Sequence, residues 1–191
     1  MNELIITAGN LFLKHGYTKV SLEAIARQAH VAVRTIYVKF GGKAGLLNAV
    51  LESRRDKLFN VRDMETDTRP FREIIDDFAR HFIDLLCAPE AISMQRVVIA
   101  EARDNPELAQ TFYEAGPKRT REMLNKFFAR PDIRAQLRAD VPLDFLPAHL
   151  TNSIAGDQMC RFLFPVPSNA RDDMLRGLDE RLELFYRSVL R

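Results

Sequence analysis

The stretch VAVRTIYVKFGGK, from Val31 to Lys43, contains basic and hydroxyl side chains and no carboxylate. Its candidate functional side chains are Arg34, Thr35, Tyr37, Lys39 and Lys43. Guanidinium and ammonium groups donate hydrogen bonds to anionic oxygens, and Thr and Tyr hydroxyls can donate to the same acceptors. Since a neighbouring carboxylate would repel an anion, the stretch favours a site for phosphate groups.

The charge of the chain is nearly balanced overall but unevenly distributed. Its 191 residues include 28 Lys and Arg and 26 Asp and Glu, a formal net charge of +2. Residues 1–45 carry six basic and two acidic side chains, so they account for +4 and the remainder for −2. A basic segment on a mildly acidic body favours a polyanionic partner for that segment, with chance clustering of surface charge as the alternative.

Other chemistry finds little support in the sequence. The two cysteines, Cys87 and Cys160, are far apart in apolar contexts, so we expect small buried hydrophobic residues and neither a metal site nor a cofactor. The four histidines are scattered along the chain, and we expect no catalytic site and no enzyme activity. We find no signal peptide and no apolar run long enough to span a bilayer, which predicts a cytoplasmic protein.

Helical periodicity dominates the first 60 residues. A first apolar stripe runs from Leu4 to Phe12, and Gly16 is typical of a helix end. Ser21 is a strong candidate to cap a short second helix. A third helix is predicted over Val33 to Phe40, followed by the Gly41-Gly42 break and a fourth helix from Lys43 to about Phe59.

The rest of the chain is also predicted to be helical, which gives an all-α fold of about nine helices. The predicted segments are Phe71 to Cys87, Glu90 to Asp104, Pro106 to Arg130 with a kink at Gly116-Pro117, Asp132 to Ala139, Leu143 to Phe164 and Ser168 to Leu190. We predict a DNA-binding domain over residues 1–46, joined through the helix at 43–59 to a larger helical domain over residues 60–191.

Two short helices separated by a tight turn have the sequence pattern of a helix-turn-helix, whose second helix enters the major groove of DNA. Arg34 lies in the first turn of the third helix, where its guanidinium could bind guanine O6 and N7. Thr35 and Tyr37 could donate to phosphates, and Lys39 and Lys43 could contact the DNA backbone on either side. Val33 lies where a thymine methyl could be read.

The segment from Ile5 to Leu51 resembles the DNA-binding domain of the TetR/AcrR family. The matching pieces are A-x-x-L-F at Ala8, HGY-x-x-x-S at His15, EAIA-x-x-A at Glu23 and TIY-x-x-F at Thr35. The resemblance implies that Ser21 to Phe40 is the helix-turn-helix, that Ser21 and the third helix meet DNA, and that the larger domain binds a small molecule and forms a homodimer. Gln95 to Leu124 also looks like the regulatory domain of an AcrR-like branch.

The sequence departs from the family pattern at three positions of this region. His30 stands where family members usually have a glycine with positive φ. Ala32 stands where they usually have a capping Ser or Thr, and a missing cap costs about 1 kcal/mol. Arg34 often corresponds to a small residue, so its role as a base reader is inferred from its chemistry alone.

Large apolar residues of the second domain could surround an apolar or amphipathic effector, with a few polar groups to orient it. The candidate pocket residues are Phe78, Phe82, Met94, Phe112, Phe127 and Asn152. Ordinary core packing is the alternative for each of them.

The last two helices are the candidates for a dimer interface. The predicted interface residues are Gly156, Met174, Leu178, Leu182 and Phe185, which fall on helical spacings. A symmetric dimer would bind a palindromic operator. The alternative is that these helices pack only within one chain.

These observations predict a ligand-responsive transcriptional repressor. The alternative from another class is a helical small-molecule or lipid-binding protein, or an enzyme, with an incidental basic patch.

Overall fold

The computed structural model describes residues 2–58, 64–157, 164 and 169–191, with residues 54–58 described by their backbone only. Over these residues the chain folds into helices and short turns without a β-strand, which confirms the all-α prediction. None of the described helices has the length and apolar character needed to cross a membrane.

The described residues form twelve α-helices. They are α1 (Asn2–His15), α2 (Leu22–Gln28), α3 (Val33–Phe40), α4 (Lys43–Leu58), α5 (Phe71–Cys87), α6 (Pro89–Glu101), α7 (Pro106–Tyr113), α8 (Arg119–Ala129), α9 (Pro131–Arg134), α10 (Leu146–Ala155), α11 (Ala170–Leu175) and α12 (Leu178–Val189). A π-helical turn, Glu114–Lys118, joins α7 to α8, and a 3₁₀ turn, Leu143–Phe145, precedes α10.

Several predicted boundaries were accurate, and others were wrong. The helices α3 and α5 begin and end where the sequence placed them. The single helix predicted over Ser168 to Leu190 is instead divided, because Gly177 adopts a left-handed conformation with φ 69° between α11 and α12. The helix predicted to end at Arg130 ends at Ala129, and the short helix predicted over Asp132 to Ala139 instead spans Pro131–Arg134, with Pro131 in the first turn, where its missing N–H costs nothing.

The chain forms two compact units, each made of two stretches of the sequence. The first unit contains residues 1–57 and 89–118, and the second contains residues 58–88 and 119–191. Residues 89–118, which the sequence assigned to the larger domain, therefore pack with the N-terminal helices. They do so because apolar side chains from both stretches share one core. Met94 on α6 and Leu108 on α7 belong to the buried cluster that also contains Phe12 and Ile25, and no sequence pattern indicates this contact.

The second unit has an aromatic core and polar anchors around it. Phe71 stacks on Phe127 with ring centroids 5.9 Å apart, and Tyr186 meets Phe71 edge-on at 6.1 Å. The Arg130 guanidinium donates to the carbonyl oxygens of Met64 at 2.6 Å and Asp67 at 2.8 Å. These bonds fix the connection that leads into α5.

Candidate nucleic-acid interface

The start of α2 is stabilised locally. The Ser21 hydroxyl accepts a hydrogen bond from the Ala24 N–H at 3.2 Å, as expected for an N-cap residue. The pKa of Glu23 in the first turn is lowered, first by a hydrogen bond from its own backbone N–H and then by one from Ser21. The predicted cap at Ser21 is therefore present.

The turn between α2 and α3 has a strained residue and lacks a side-chain cap. His30 has φ 53° and is the non-glycine residue with positive φ among the described residues. Its neighbour Val31 donates its N–H to the Ala26 carbonyl at 2.9 Å, which closes the turn. Ala32 has the extended conformation of an N-cap, φ −73° and ψ 142°, but provides no acceptor for the first N–H groups of α3. His30 thus has the positive φ that the family pattern implies at its position, and Ala32 has N-cap backbone geometry without a side-chain cap.

Helix α3 has one buried side chain and a broad exposed face. Among its eight residues, all of them described, Ile36 is the buried one. Val33 and Phe40 are partly buried against the core of the first unit. On the outer face Tyr37 is 56% exposed and Val38 75% exposed, beside the exposed Arg34 and Lys39. An exposed Val beside cations and a phenol is poorly explained by packing and suits contact with another molecule.

The end of α3 places Tyr37 against the glycine pair. Gly41 is left-handed, with φ 74°, and donates its N–H to the Tyr37 carbonyl at 2.9 Å. A Cβ on Gly42, whose φ is 127°, would lie 3.7 Å from Cε1 of the Tyr37 ring. The ring therefore lies beside the turn that leads into α4, with its exposed part on the same face as Arg34.

The structure brings Lys43 to the turn between α1 and α2, a contact that the sequence did not suggest. The Lys43 Nζ donates to the Thr18 carbonyl at 3.3 Å and lies 4.4 Å from the centroid of the Tyr17 ring. Burial lowers the pKa of Lys43, and the negative charge of Glu101 partly opposes this effect. Its ammonium is thus positioned by the protein itself before any phosphate arrives.

A basic groove lies next to this region, and the sequence does not indicate that its residues come together. It has a volume of about 440 Å³ and is lined by Leu11, Lys14, His15, Lys19, Val20 and Ala24. The sequence alone indicates surface positions for Lys14 and Lys19 and a helix end at the HGY turn, but not that this turn brings the two lysines together. Together with α3, the groove extends the cationic surface of the first unit.

The predicted pocket residues are divided between the two units. Met94 is buried in the core of the first unit and Phe112 packs against it. In the second unit Phe78 and Phe127 are fully buried, Phe82 is partly buried and stacks on Phe78 at 5.5 Å, and Asn152 is exposed. Their role in effector binding stays a prediction.

The predicted dimer residues lie mostly inside the second unit. Met174, Leu178, Leu182 and Phe185 are each at most 2% exposed, because their stripe faces the core of the same chain. Gly156 is exposed at the end of α10, with φ 57°. The stripe that the sequence pattern revealed is therefore the inward face of α11 and α12, whose outward face instead presents Leu184, 67% exposed.

A helix-turn-helix with an exposed cationic second helix defines a DNA-binding protein of the regulator type. Residues 4–50 match the family described as bacterial regulatory proteins of the tetR family. Residues 73–186 match the C-terminal domain of AefR-like transcriptional repressors. The chain belongs to the TetR family of transcriptional regulators, a family of DNA-binding, dimeric regulators with ligand-binding C-terminal domains rather than of enzymes.

Individual relatives agree with this assignment. The HTH-type transcriptional regulator UidR of Escherichia coli K12 is 25% identical over 170 residues, which cover 81% of each chain. A TetR-family regulator of known structure from Mesorhizobium loti has a TM-score of 0.79 at 23% identity, over 100% of this chain and 96% of its own. The flavonoid-responsive regulator FrrA has a TM-score of 0.73 at 23% identity, over 99% and 96% of the two chains. These two structures share the fold of this chain.

Proposed function

We propose that this protein is a repressor that binds a palindromic operator as a homodimer and leaves it when a small apolar or amphipathic effector binds. The observation that carries the DNA-binding part is the outer face of α3, where Arg34, Tyr37 and Val38 are exposed while Ile36 anchors the helix. A DNA partner also implies the cytoplasmic location that the sequence predicted.

The proposed roles of the side chains follow from their positions. Arg34, in the first turn of α3, reads a base, and Tyr37 and Lys43 hold phosphates. Thr35, half-buried, and the exposed Lys39 are proposed as further backbone contacts, and Val33 as an apolar contact. Ser21 contributes by fixing the start of α2.

The proposed effector is aromatic or amphipathic because the second unit is rich in aromatic side chains. Phe78 and Phe82 stack, and a second aromatic group surrounds Phe71. The structural relative FrrA is a flavonoid-responsive regulator, which supports an aromatic effector class here. An effector that favours another arrangement of the dimer lowers operator affinity by its difference in binding free energy.

The proposed dimer interface is the outward face of α10 and α12. Phe145, just before α10, is 70% exposed, and Leu184 on α12 is 67% exposed. His149 of α10 and Ser188 of α12 share a hydrogen bond of 2.9 Å that joins the two helices. Exposed large apolar side chains on helices that are joined in this way suit a self-complementary contact. We expect Leu184→Lys to give monomers in sedimentation velocity, whereas Ile6→Lys, an exposed apolar residue of the first unit, leaves the dimer intact.

Selection of duplexes from a pool of random DNA tests the whole proposal. We expect a two-fold symmetric consensus whose binding weakens steeply as salt rises. Arg34→Ala should relax the consensus at the base it reads, whereas Tyr37→Phe and Lys43→Ala should weaken binding to all sequences. If the folded parent enriches no duplex even at low salt, the proposed function is wrong, and a lipid- or metabolite-binding protein becomes the hypothesis to pursue.

A further inference from the structure

The side chain of Glu101, the last residue of α6, binds the turn between α1 and α2. Its Oε1 accepts the Tyr17 N–H at 3.0 Å, and its Oε2 accepts the Thr18 N–H at 2.8 Å. The same Oε2 accepts the Thr18 hydroxyl at 2.6 Å. Three donors on two consecutive residues, more than 80 positions away in the sequence, thus converge on one carboxylate.

The opposite side of the same turn is held by Lys43. Its Nζ donates to the Thr18 carbonyl at 3.3 Å and lies over the Tyr17 ring. Burial lowers the pKa of the Lys43 ammonium, and the negative charge of Glu101 acts to raise it. The N–H, the hydroxyl and the carbonyl of Thr18 are therefore all bound, and Glu101 and Lys43 hold the turn between them.

The chain leaves room for this carboxylate at Gly16. A Cβ on Gly16 would lie 2.6 Å from Oε1 of Glu101, closer than real contacts allow, and the residue has φ 83°. A glycine is thus needed here for the backbone conformation and for the approach of the carboxylate.

Glu101 also marks the junction of α6 and α7. Its carbonyl accepts the N–H groups of Asp104 at 3.1 Å and Asn105 at 2.8 Å. The Asn105 side chain in turn caps α7 by accepting the Leu108 N–H at 3.3 Å. Glu101 thus connects the junction between these two helices, through its backbone, with the turn that precedes α2, through its side chain.

We propose that Glu101 is a positioning residue for DNA binding, through which α6 fixes the turn before α2 and the ammonium of Lys43. This inference rests on the proposed function. Glu101 lies within the segment that matches the C-terminal regulatory domain, and Tyr17, Thr18 and Lys43 lie within the segment that matches the DNA-binding domain. The carboxylate is thus a direct polar link between the two family segments of one chain, inside its first compact unit.

The test compares Glu101→Gln with Glu107→Gln in the full-length protein. Both variants remove one negative charge at nearly constant side-chain volume. Glu107 is an exposed residue of α7 that acts on Tyr17 through its charge, so it controls for long-range electrostatics. The probe is a duplex selected by the parent from random DNA. Affinity is measured at a temperature at which circular dichroism shows each variant to be folded, together with hydrogen exchange of the Tyr17 and Thr18 amides.

We expect Glu101→Gln to bind the selected duplex about tenfold more weakly, because charge-assisted hydrogen bonds to the turn are lost. The Tyr17 and Thr18 amides should exchange about tenfold faster, while Glu107→Gln stays within about twofold of the parent in both measurements. A merely structural role would lower the midpoint of thermal unfolding and leave the affinity of the folded variant unchanged.

Two results would overturn the inference. One is parent-like DNA affinity of folded Glu101→Gln, and the other is an equal loss of affinity in Glu107→Gln. Failure of the proposed function is distinct, since it appears in the parent as an absence of any selected duplex. In that case the amide exchange still shows whether Glu101 holds the turn.

Discussion

The turn between α1 and α2 and the turn between α2 and α3 both contain a residue with positive φ, but they stabilise it differently. The first uses Gly16, the cap at Ser21 and the hydrogen bonds that the turn donates to the Glu101 carboxylate. The second uses His30, followed by the uncapped Ala32. The helix that would enter the DNA groove is thus the one with less local stabilisation, and its position depends on packing beneath it.

The largest expected effect concerns that packing. Ile36→Ala removes the fully buried side chain of α3, and we expect a loss of about 3 kcal/mol in the free energy of unfolding. Val38→Ala, at a position 75% exposed, should change it by less than about 0.5 kcal/mol. Urea denaturation measures both. Equal effects of the two substitutions would mean that α3 is not anchored as described.

The turn before α2 should respond to alkaline pH. Burial, followed by the charges of Glu107 and Glu101, raises the pKa of Tyr17 to about 12. An unfolded tyrosine loses its proton near pH 10. Between these pH values the unfolded state binds fewer protons than the folded state, so stability falls as pH rises, by about 2 kcal/mol in all. Tyr17→Phe should remove this part of the fall, and identical pH profiles of the parent and the variant would contradict the prediction.

Removing the side-chain cap of α2 and adding one to α3 should make the two turns more alike in stability. Ser21→Ala removes the acceptor for the Ala24 N–H and should cost about 1 kcal/mol. Ala32→Ser adds an acceptor where the backbone already has N-cap geometry and should gain about 1 kcal/mol. Thermal unfolding of the two variants measures both changes. A loss on Ala32→Ser would show that a polar side chain is not accommodated there.

The smallest effect is expected at His30. His30→Gly relieves the left-handed conformation, which costs a non-glycine residue about 1 kcal/mol or more. Greater freedom of the unfolded chain offsets part of this gain, and roughly 0.5 kcal/mol should remain. Arg27→Gly, within α2, is the control, because it carries the entropic cost of glycine without relieving strain. If both substitutions destabilise equally, His30 is not strained.

The helix-turn-helix could be predicted closely because its signals are local. These signals are Gly16, Ser21 and the Gly41-Gly42 pair, and each affects only the backbone near it. The helix bounds around them could therefore be predicted from the sequence. Gly177 was overlooked because a single glycine inside a helical pattern does not by itself indicate whether the helix ends there. Glu101 could not be singled out among the polar residues of its segment, since nothing in its sequence neighbourhood points to a turn 83 residues earlier.

The sequence by itself determined the helical class, the helix-turn-helix and the cationic character of α3, because periodicity, caps and charge are properties of neighbouring residues. Only the tertiary structure decided which face of each helix is buried. The apolar stripe from Met174 to Phe185 could face either the core of its own chain or a partner. In the structure it is buried within the chain, because α11 packs against α5 and α12 packs against α10. The link from Glu101 to the turn before α2 was likewise decided by the fold, since a carboxylate finds its donors in space and not along the chain.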